Sequence, residues 1–192
     1  MVVTDERPRG EVQFGEVLLG IGGGIAAYKL AYVASALVQR GVRVRVAMTR
    51  AAVSYIGPLT FAGLTNTQPI LSSTQVDHDG SVPHIDAARA ARVYCIAPAS
   101  ADLLAKLASG SADEAVTLLA LTCRCPIVVC PAMNDAMWLA PAVQHNVATL
   151  RGRGFEFLGP VEGHLAEGYP AIGRLVEPEV IVARLLSLAG AP

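Results

Sequence analysis

Apolar and polar positions follow two periods along this chain, and the switches between them mark its elements. Val17-Leu18-Leu19-Gly20-Ile21 is a short continuous apolar run, the mark of a parallel strand covered on both faces. Gly22-Gly23-Gly24 follows as a turn. A helical pattern then runs from Ile25 to about Arg40 and stops at Gly41. Val42-Arg43-Val44-Arg45-Val46-Ala47-Met48 alternates as a second strand. Thr49 caps a short helix through Tyr55, and Pro58 opens another as its first residue. Residues 66–82 read as a polar loop, of a length that is often functional. Pro83-His84-Ile85-Asp86 starts the next helix.

Val93-Tyr94-Cys95-Ile96-Ala97 is a third buried strand. Pro98-Ala99-Ser100-Ala101-Asp102 ends it and begins a helix to about Ser109, which Gly110 stops. Ala112 to Thr122 forms another helix. The fourth strand is Pro126-Ile127-Val128-Val129-Cys130, followed by a proline-stiffened turn with Asn134 at a helix N-cap position. Pro141 to Gly152 is a helix, Phe155 to Leu158 a short strand, and Glu179 to Leu188 the last helix. Gly159 to Gly173 holds four glycines and two prolines without a helical period, so a mobile flap or an ordered loop is expected there. Strands alternating with helices predict a doubly wound α/β fold, flavodoxin- or Rossmann-like, with a mostly parallel sheet. Residues 1–15 read as a flexible lead and 16–192 as one domain.

Composition narrows the function classes. Hydrophobic residues make up 53% of the chain and charged ones only 16%, so substantial subunit interfaces are expected. A net charge of -1 gives no electrostatic footprint for nucleic acid. The polar N-terminus does not read as a signal peptide, and no apolar run reaches a membrane span of roughly 18 residues. Cys95, Cys123, Cys125 and Cys130 lie in or beside apolar runs, and the histidines are scattered. No metal site is expected, and a reducing cytoplasm fits.

The candidate chemistry gathers where predicted strands end. A strand, a glycine turn and a helix make a phosphate-binding unit, because backbone N–H groups can approach an anion at the positive helix end. The spacing Gly20-x-Gly22-x-x-Ile25 fails the dinucleotide fingerprint, and Met48, Thr49 and Arg50 stand where an acidic residue would be needed. A mononucleotide phosphate suits the turn better. The hydroxyls of Thr49 and Ser100 fall at strand ends. Asn134 can cap its helix or reach into the crevice beyond its strand. His84, in a first helical turn, can act as a base or remain a surface or interface residue.

Five stretches in order carry a resemblance: Gly23-Gly24-Ile25-Ala26-Ala27-Tyr28-Lys29, Pro83-His84-Ile85, Ala97-Pro98-Ala99-Ser100-Ala101-Asp102, Pro131-Ala132-Met133-Asn134-Asp135-Ala136-Met137-Trp138, and Gly173-Arg174-Leu175-Val176-Glu177-Pro178. Over about Val17 to Leu188 the chain resembles the homo-oligomeric flavin-containing cysteine decarboxylases, above all those acting on 4′-phosphopantothenoyl-L-cysteine in coenzyme A biosynthesis. The resemblance implies FMN lined by Gly22, Gly23, Gly24, Thr49, Pro98, Ala99, Ser100, Asp102 and Ala132. It implies His84 as base or orienting group and Asn134 as holder of the substrate carboxylate, with Met137, Ala166 and Gly168 also against substrate. It further implies a homo-oligomer, a trimer or a dodecamer of trimers, and a phosphopantothenate–cysteine ligase as a possible separate partner.

Two positions depart from the family pattern. Ala166-Glu167-Gly168 stands where the coenzyme A enzymes carry Ala-Cys-Gly on the flap. Glu167 either replaces the cysteine as proton donor, or the reductive half-reaction is lost. Gly22 stands where relatives carry Ser or Thr, which removes one hydroxyl contact to the phosphate. Two alternatives remain open: oxidative decarboxylation of a peptide's C-terminal cysteine to an enethiol, and a non-catalytic FMN-binding regulatory or structural subunit.

Overall fold

A computed structural model of the chain describes residues 15–76 and 80–190. The expected flexible lead lies outside the described residues save Gly15, whose N–H donates to the Ala189 carbonyl at 3.3 Å. Positions 77–79 of the expected polar loop also lie outside them.

Five strands form one parallel sheet: β1 (Glu16–Ile21), β2 (Val44–Met48), β3 (Ala91–Ala99), β4 (Ile127–Pro131) and β5 (Glu156–Phe157). Their order is β2-β1-β3-β4-β5, the flavodoxin arrangement. The helices are α1 (Lys29–Gln39), α2 (Arg50–Val53), α3 (Pro58–Thr65), α4 (Pro83–Ala90), α5 (Ala101–Ser109), α6 (Ala115–Thr122), α7 (Asp135–Leu139), α8 (Pro141–Gly152) and α9 (Pro178–Ala189).

The sheet explains the apolar runs. β1 lies between two neighbours and under helices on both faces, so all six of its residues are buried. Val17 and Leu19 point into a core with Leu30, Val33 and Leu37 of α1, Phe61 of α3, and Ile181 and Leu185 of α9. Leu18 points the other way, into a core with Leu103 and Leu107 of α5, Val116 and Leu119 of α6, and Val147 of α8. Tyr94 sits in that second core, and its hydroxyl donates to the Val116 carbonyl at 2.9 Å. Burying the ring is therefore compatible with a satisfied hydroxyl.

Three elements differ from expectation. The helix expected from Ile25 begins with a 3₁₀ turn over Ile25–Tyr28, in which the Ala27 N–H reaches the Gly24 carbonyl at 2.9 Å. The helix expected from Ala112 begins at Ala115, because Glu114 and Thr117 close a capping box at its start. The glycine-rich stretch after Leu158 is an antiparallel hairpin of β6 (Val161–His164) and β7 (Pro170–Arg174). The expected polar loop also joins the sheet at one point, a bridge between Ile70 and Ala47.

Parallel strands place all their carboxyl ends on one edge. The strand order reverses between β1 and β3, and open α/β sheets bind ligands at that point of the edge. The turns after β1, β2, β3 and β4 all emerge there.

Candidate active site

The glycine turn is shaped by its neighbours. A Cβ on Gly22 would lie 2.0 Å from the Pro98 carbonyl oxygen, and one on Gly23 would lie 2.4 Å from the Ala51 Cβ. Side chains at either position would push the ends of β1 and β3, or the start of α2, apart. At Gly24 the nearest atom to such a Cβ is the Pro98 Cγ at 3.8 Å. The turn is therefore packed behind and open in front, as a backbone cradle for an anion must be.

Two hydroxyls flank it. Thr49 Oγ1 accepts from the Ala52 N–H at 3.1 Å and caps α2, and Ser100 Oγ accepts from the Leu103 N–H at 3.2 Å and caps α5. A capping hydroxyl accepts with one lone pair and still has its own proton to donate. Pro98 and Ala99 are buried strand residues; the Ala99 carbonyl receives the Ala132 N–H at 3.1 Å, which ties the ends of β3 and β4 together. Asp102 stands apart, exposed and paired with Lys106 at 3.5 Å.

In front of the turn lies a cleft of about 720 Å³, a size suited to a cofactor or small ligand. Gly24, Ile25 and Lys29 form one wall, Ala132, Met133, Asn134 and Met137 another, and the hairpin residues Ala166, Glu167 and Arg174 the roof. The roof is held by a close backbone approach. Gly173 has φ +143°, and a Cβ there would lie 2.1 Å from the Met133 carbonyl oxygen. Its own carbonyl receives the Met133 N–H at 3.0 Å.

Asn134 is the most connected side chain of the cleft. Its Oδ1 accepts from the Ala136 N–H at 2.9 Å, the expected cap of α7. Its Nδ2 donates to Glu167 Oε1 at 3.0 Å and to Tyr169 Oη at 3.2 Å. The Tyr169 hydroxyl donates in turn to Asp135 Oδ1 at 2.7 Å, and this bond holds its pKa above the usual phenol range. Deeper in, Glu177 pairs with both Lys29 (3.5 Å) and Arg174, so two cations share one carboxylate beside the cleft.

His84 does not line the cleft in the single chain. It follows Pro83 in the first turn of α4, and its Nδ1 is shielded from water with no hydrogen-bond partner among the described residues. A buried polar atom left unpaired costs about 1–3 kcal/mol and marks a site in want of a partner. Gly168 tops the hairpin turn, where its N–H meets the Leu165 carbonyl at 3.0 Å. The fold thus gathers Gly24, Ala132, Asn134, Met137, Ala166 and Glu167 in one cleft, with Gly22, Gly23, Pro98, Ala99, Thr49 and Ser100 behind or beside it. His84 and Asp102 stay outside.

Tyr169 and Asp135 join the Asn134 network, and Lys29, Arg174 and Glu177 form a separate ion-pair group, without being singled out by sequence reasoning. An aromatic residue in a glycine- and proline-rich segment was the one signal for Tyr169. The four cysteines are free: Cys95 and Cys130 are buried with sulfurs 3.9 Å apart, and Cys123 and Cys125 lie between α6 and β4. No cluster of metal-ligating side chains occurs among the described residues, and no helix there is long and apolar enough to cross a membrane.

The model of the Flavoprotein family matches residues 6–190. The chain belongs to that family. Within the Flavoprotein family it is 42% identical over 166 residues to the coenzyme A biosynthesis bifunctional protein CoaBC of Bacillus subtilis, an overlap of 86% of this chain and 41% of that protein. The CoaBC protein of Mycobacterium tuberculosis is 43% identical over 173 residues, an overlap of 89% of this chain and 41% of the relative. The chain therefore spans about two-fifths of these curated relatives. Among solved structures, the FMN-dependent cysteine decarboxylase SpaF superposes with a TM-score of 0.78 at 33% identity, covering 93% of this chain and 98% of the other. A mutant PPC decarboxylase complexed with pantothenoylaminoethenethiol superposes with a TM-score of 0.82 at 26% identity, covering 92% and 99%.

Proposed function

We propose that this Flavoprotein-family chain binds FMN and decarboxylates 4′-phosphopantothenoyl-L-cysteine to 4′-phosphopantetheine, in coenzyme A biosynthesis. The observation that carries the reading is Asn134 Nδ2, an N–H donor in the cleft that already holds a carboxylate, that of Glu167, at 3.0 Å. The similarity to two CoaBC proteins and to two cysteine decarboxylases over the same region supports it.

The residues present fit such a cofactor. Gly24 opens a backbone cradle, and Thr49 and Ser100 each have a hydroxyl proton to give at the same sheet edge. Gly22 and Gly23 keep the cradle close to β3 and α2, and Ala132 offers a small wall. FMN, when bound, would supply a two-electron acceptor for oxidation of the cysteinyl side chain, which eases loss of carbon dioxide because the negative charge left on carbon spreads to sulfur, and would return the same two electrons, so that the saturated product forms with no net redox change. Asn134 holds the carboxylate that departs, and Met137 and Ala166 exclude water around it. Glu167, on the hairpin, is the candidate to give a proton to the decarboxylated carbon, a role open to it only in its protonated form and not as the carboxylate that Asn134 holds in the free chain.

His84 completes the reading through a neighbouring copy. Its Nδ1 lacks a partner among the described residues, while Ile25, Tyr28, Tyr55 and Met137 leave apolar surface exposed around the cleft. A homotrimer, alone or as the unit of a dodecamer, would cover that surface and bring a histidine to each cleft. A ligase that makes the cysteinyl substrate is the partner this chemistry requires upstream.

The test is the mass of the product formed by FMN-loaded protein from 4′-phosphopantothenoyl-cysteine without oxygen. Saturated 4′-phosphopantetheine is the expected result. A product two hydrogens lighter, the enethiol, removes Glu167 from the proton-donor role. Unchanged substrate, or a protein that takes up no FMN, overturns the reading.

A further inference from the structure

The proton bookkeeping around Asn134 leaves no freedom. An aspartate carboxylate can only accept, so the 2.7 Å bond between Tyr169 and Asp135 fixes the phenol proton on the Asp135 side. The Tyr169 oxygen must then accept from its other neighbour, which is Asn134 Nδ2 at 3.2 Å. At the opposite end of the amide, the Ala136 N–H needs an acceptor and takes Oδ1 at 2.9 Å. Both constraints turn the amide the same way. Its second Nδ2 hydrogen is directed at the position that Glu167 fills.

We propose that Tyr169, with Asp135 behind it, is a positioning residue that locks the Asn134 amide as an N–H donor toward the cleft and so makes this position selective for a carboxylate. This rests on the functional reading above, in which the carboxylate belongs to the cysteinyl substrate. A flipped amide would present Oδ1, which repels a carboxylate and welcomes a neutral amide. The cap alone opposes that flip with one bond; Tyr169 adds a second that a flipped amide could not make, because its proton is already committed. Glu167 occupies the donor in the free chain as a carboxylate of the protein's own, and substrate takes its place.

The arrangement also accounts for the chemistry of the hairpin tip. Tyr169 and Glu167 sit on either side of Gly168, and both reach the same nitrogen. The Leu165 N–H bonds the Tyr169 carbonyl at 2.9 Å and holds the tip compact. One turn therefore carries both the residue that orients the amide and the carboxylate that stands in for the ligand.

The experiment uses FMN-loaded protein and two unreactive probes, 4′-phosphopantothenoyl-alanine and its C-terminal carboxamide, with binding measured by calorimetry. Wild type is expected to prefer the acid by roughly tenfold, the margin of a charge-assisted over a neutral hydrogen bond. Tyr169→Phe, which keeps the ring, is expected to bind the acid about tenfold more weakly and the carboxamide within about twofold of wild type. Asp135→Ala, which frees the phenol proton, should shift the preference in the same direction and is the second variant should Tyr169→Phe not fold. A second readout needs no ligand. In amide-detected NMR the Asn134 side-chain protons, identified by their loss in Asn134→Asp, should move toward free-amide positions in either variant. An unchanged acid preference together with unchanged Asn134 signals overturns the proposal. Wild type that binds neither probe, while the variants still move those signals, overturns the functional reading and leaves Tyr169 as the residue that orients the amide.

Discussion

Gly22 and the Pro98 carbonyl meet with no room for a side chain between them: a Cβ on Gly22 would lie 2.0 Å from that oxygen and 2.9 Å from Leu103 Cδ2. The contact joins the turn after β1 to the end of β3, across the point where the strand order reverses. A side chain here needs the two turns spaced differently.

Adding the hydroxyl back should therefore cost stability rather than strengthen cofactor binding. Gly22→Ser is expected to lose about 1–3 kcal/mol, the usual cost of overpacking a filled site. Thermal unfolding of the cofactor-free protein, compared with FMN affinity by fluorescence titration, checks it. Unchanged unfolding together with tighter FMN binding would show that the turn yields and that the missing hydroxyl mattered.

Exchanging Asn134 for Asp separates capping from ligand binding. The new carboxylate would still accept the Ala136 N–H, so α7 should keep its cap and the melting temperature should change little. The donor in the cleft, however, becomes an acceptor facing Glu167. Asn134→Asp should lower kcat/KM for the cysteinyl substrate by roughly 100-fold, through loss of a charge-assisted bond and like-charge repulsion. Activity within a few-fold of wild type would place the carboxylate elsewhere.

His84 can be tested by cofactor retention. His84→Asn is expected to leave FMN bound and to slow carbon dioxide release roughly 100-fold or more, the share a positioned acid or base commonly contributes. Flavin absorbance and released carbon dioxide are read on the same sample. Full activity would remove His84 from the mechanism.

Glu16 gives a pH prediction away from the site. It is buried at the start of β1, and Arg45 Nε lies 2.9 Å from its Oε1 without aiming an N–H along that line, so the pair is Coulombic and neither carboxylate oxygen has a hydrogen bond among the described residues. Burial raises its pKa above the ordinary 4.5, and Arg45 and then Arg43 only partly reverse this. The folded state thus holds the proton more tightly than the unfolded one. The stability that comes with it is fully present below the unfolded value and is lost as pH rises through the folded one. Denaturant unfolding of wild type should weaken across that window, and Glu16→Gln should flatten the slope. Parallel profiles for the two proteins would show that Glu16 titrates alike in both states.

Much of this was legible in the order of residues. Continuous apolar runs such as Val17 to Ile21 are enough to signal strands covered on both faces, and Gly41, Pro58 and Gly110 end or open helices for reasons local to themselves. Asn134 as a cap is equally local. The hairpin was not legible, because β6 and β7 are short, mostly half-exposed strands whose pairing depends on contact with the Met133 turn rather than on an alternating pattern. Tyr169 escaped for the same reason. Its partners Asn134 and Asp135 lie 35 and 34 positions away and meet it only once the hairpin has folded over. His84 is the converse case: its motif was plain in the sequence, yet its Nδ1 finds no partner among the described residues.

The hairpin and α9 are also the last parts of this fold to leave the ribosome. Strands β1 to β5 all precede them in the chain. The face of β1 that Val17 and Leu19 present stays incompletely covered until Ile181 and Leu185 arrive. The roof of the cleft, anchored through Gly173, is translated just before them. The glycine cradle is thus translated before the hairpin that completes the cleft. Anything that binds the completed cleft holds that last segment in place by mass action.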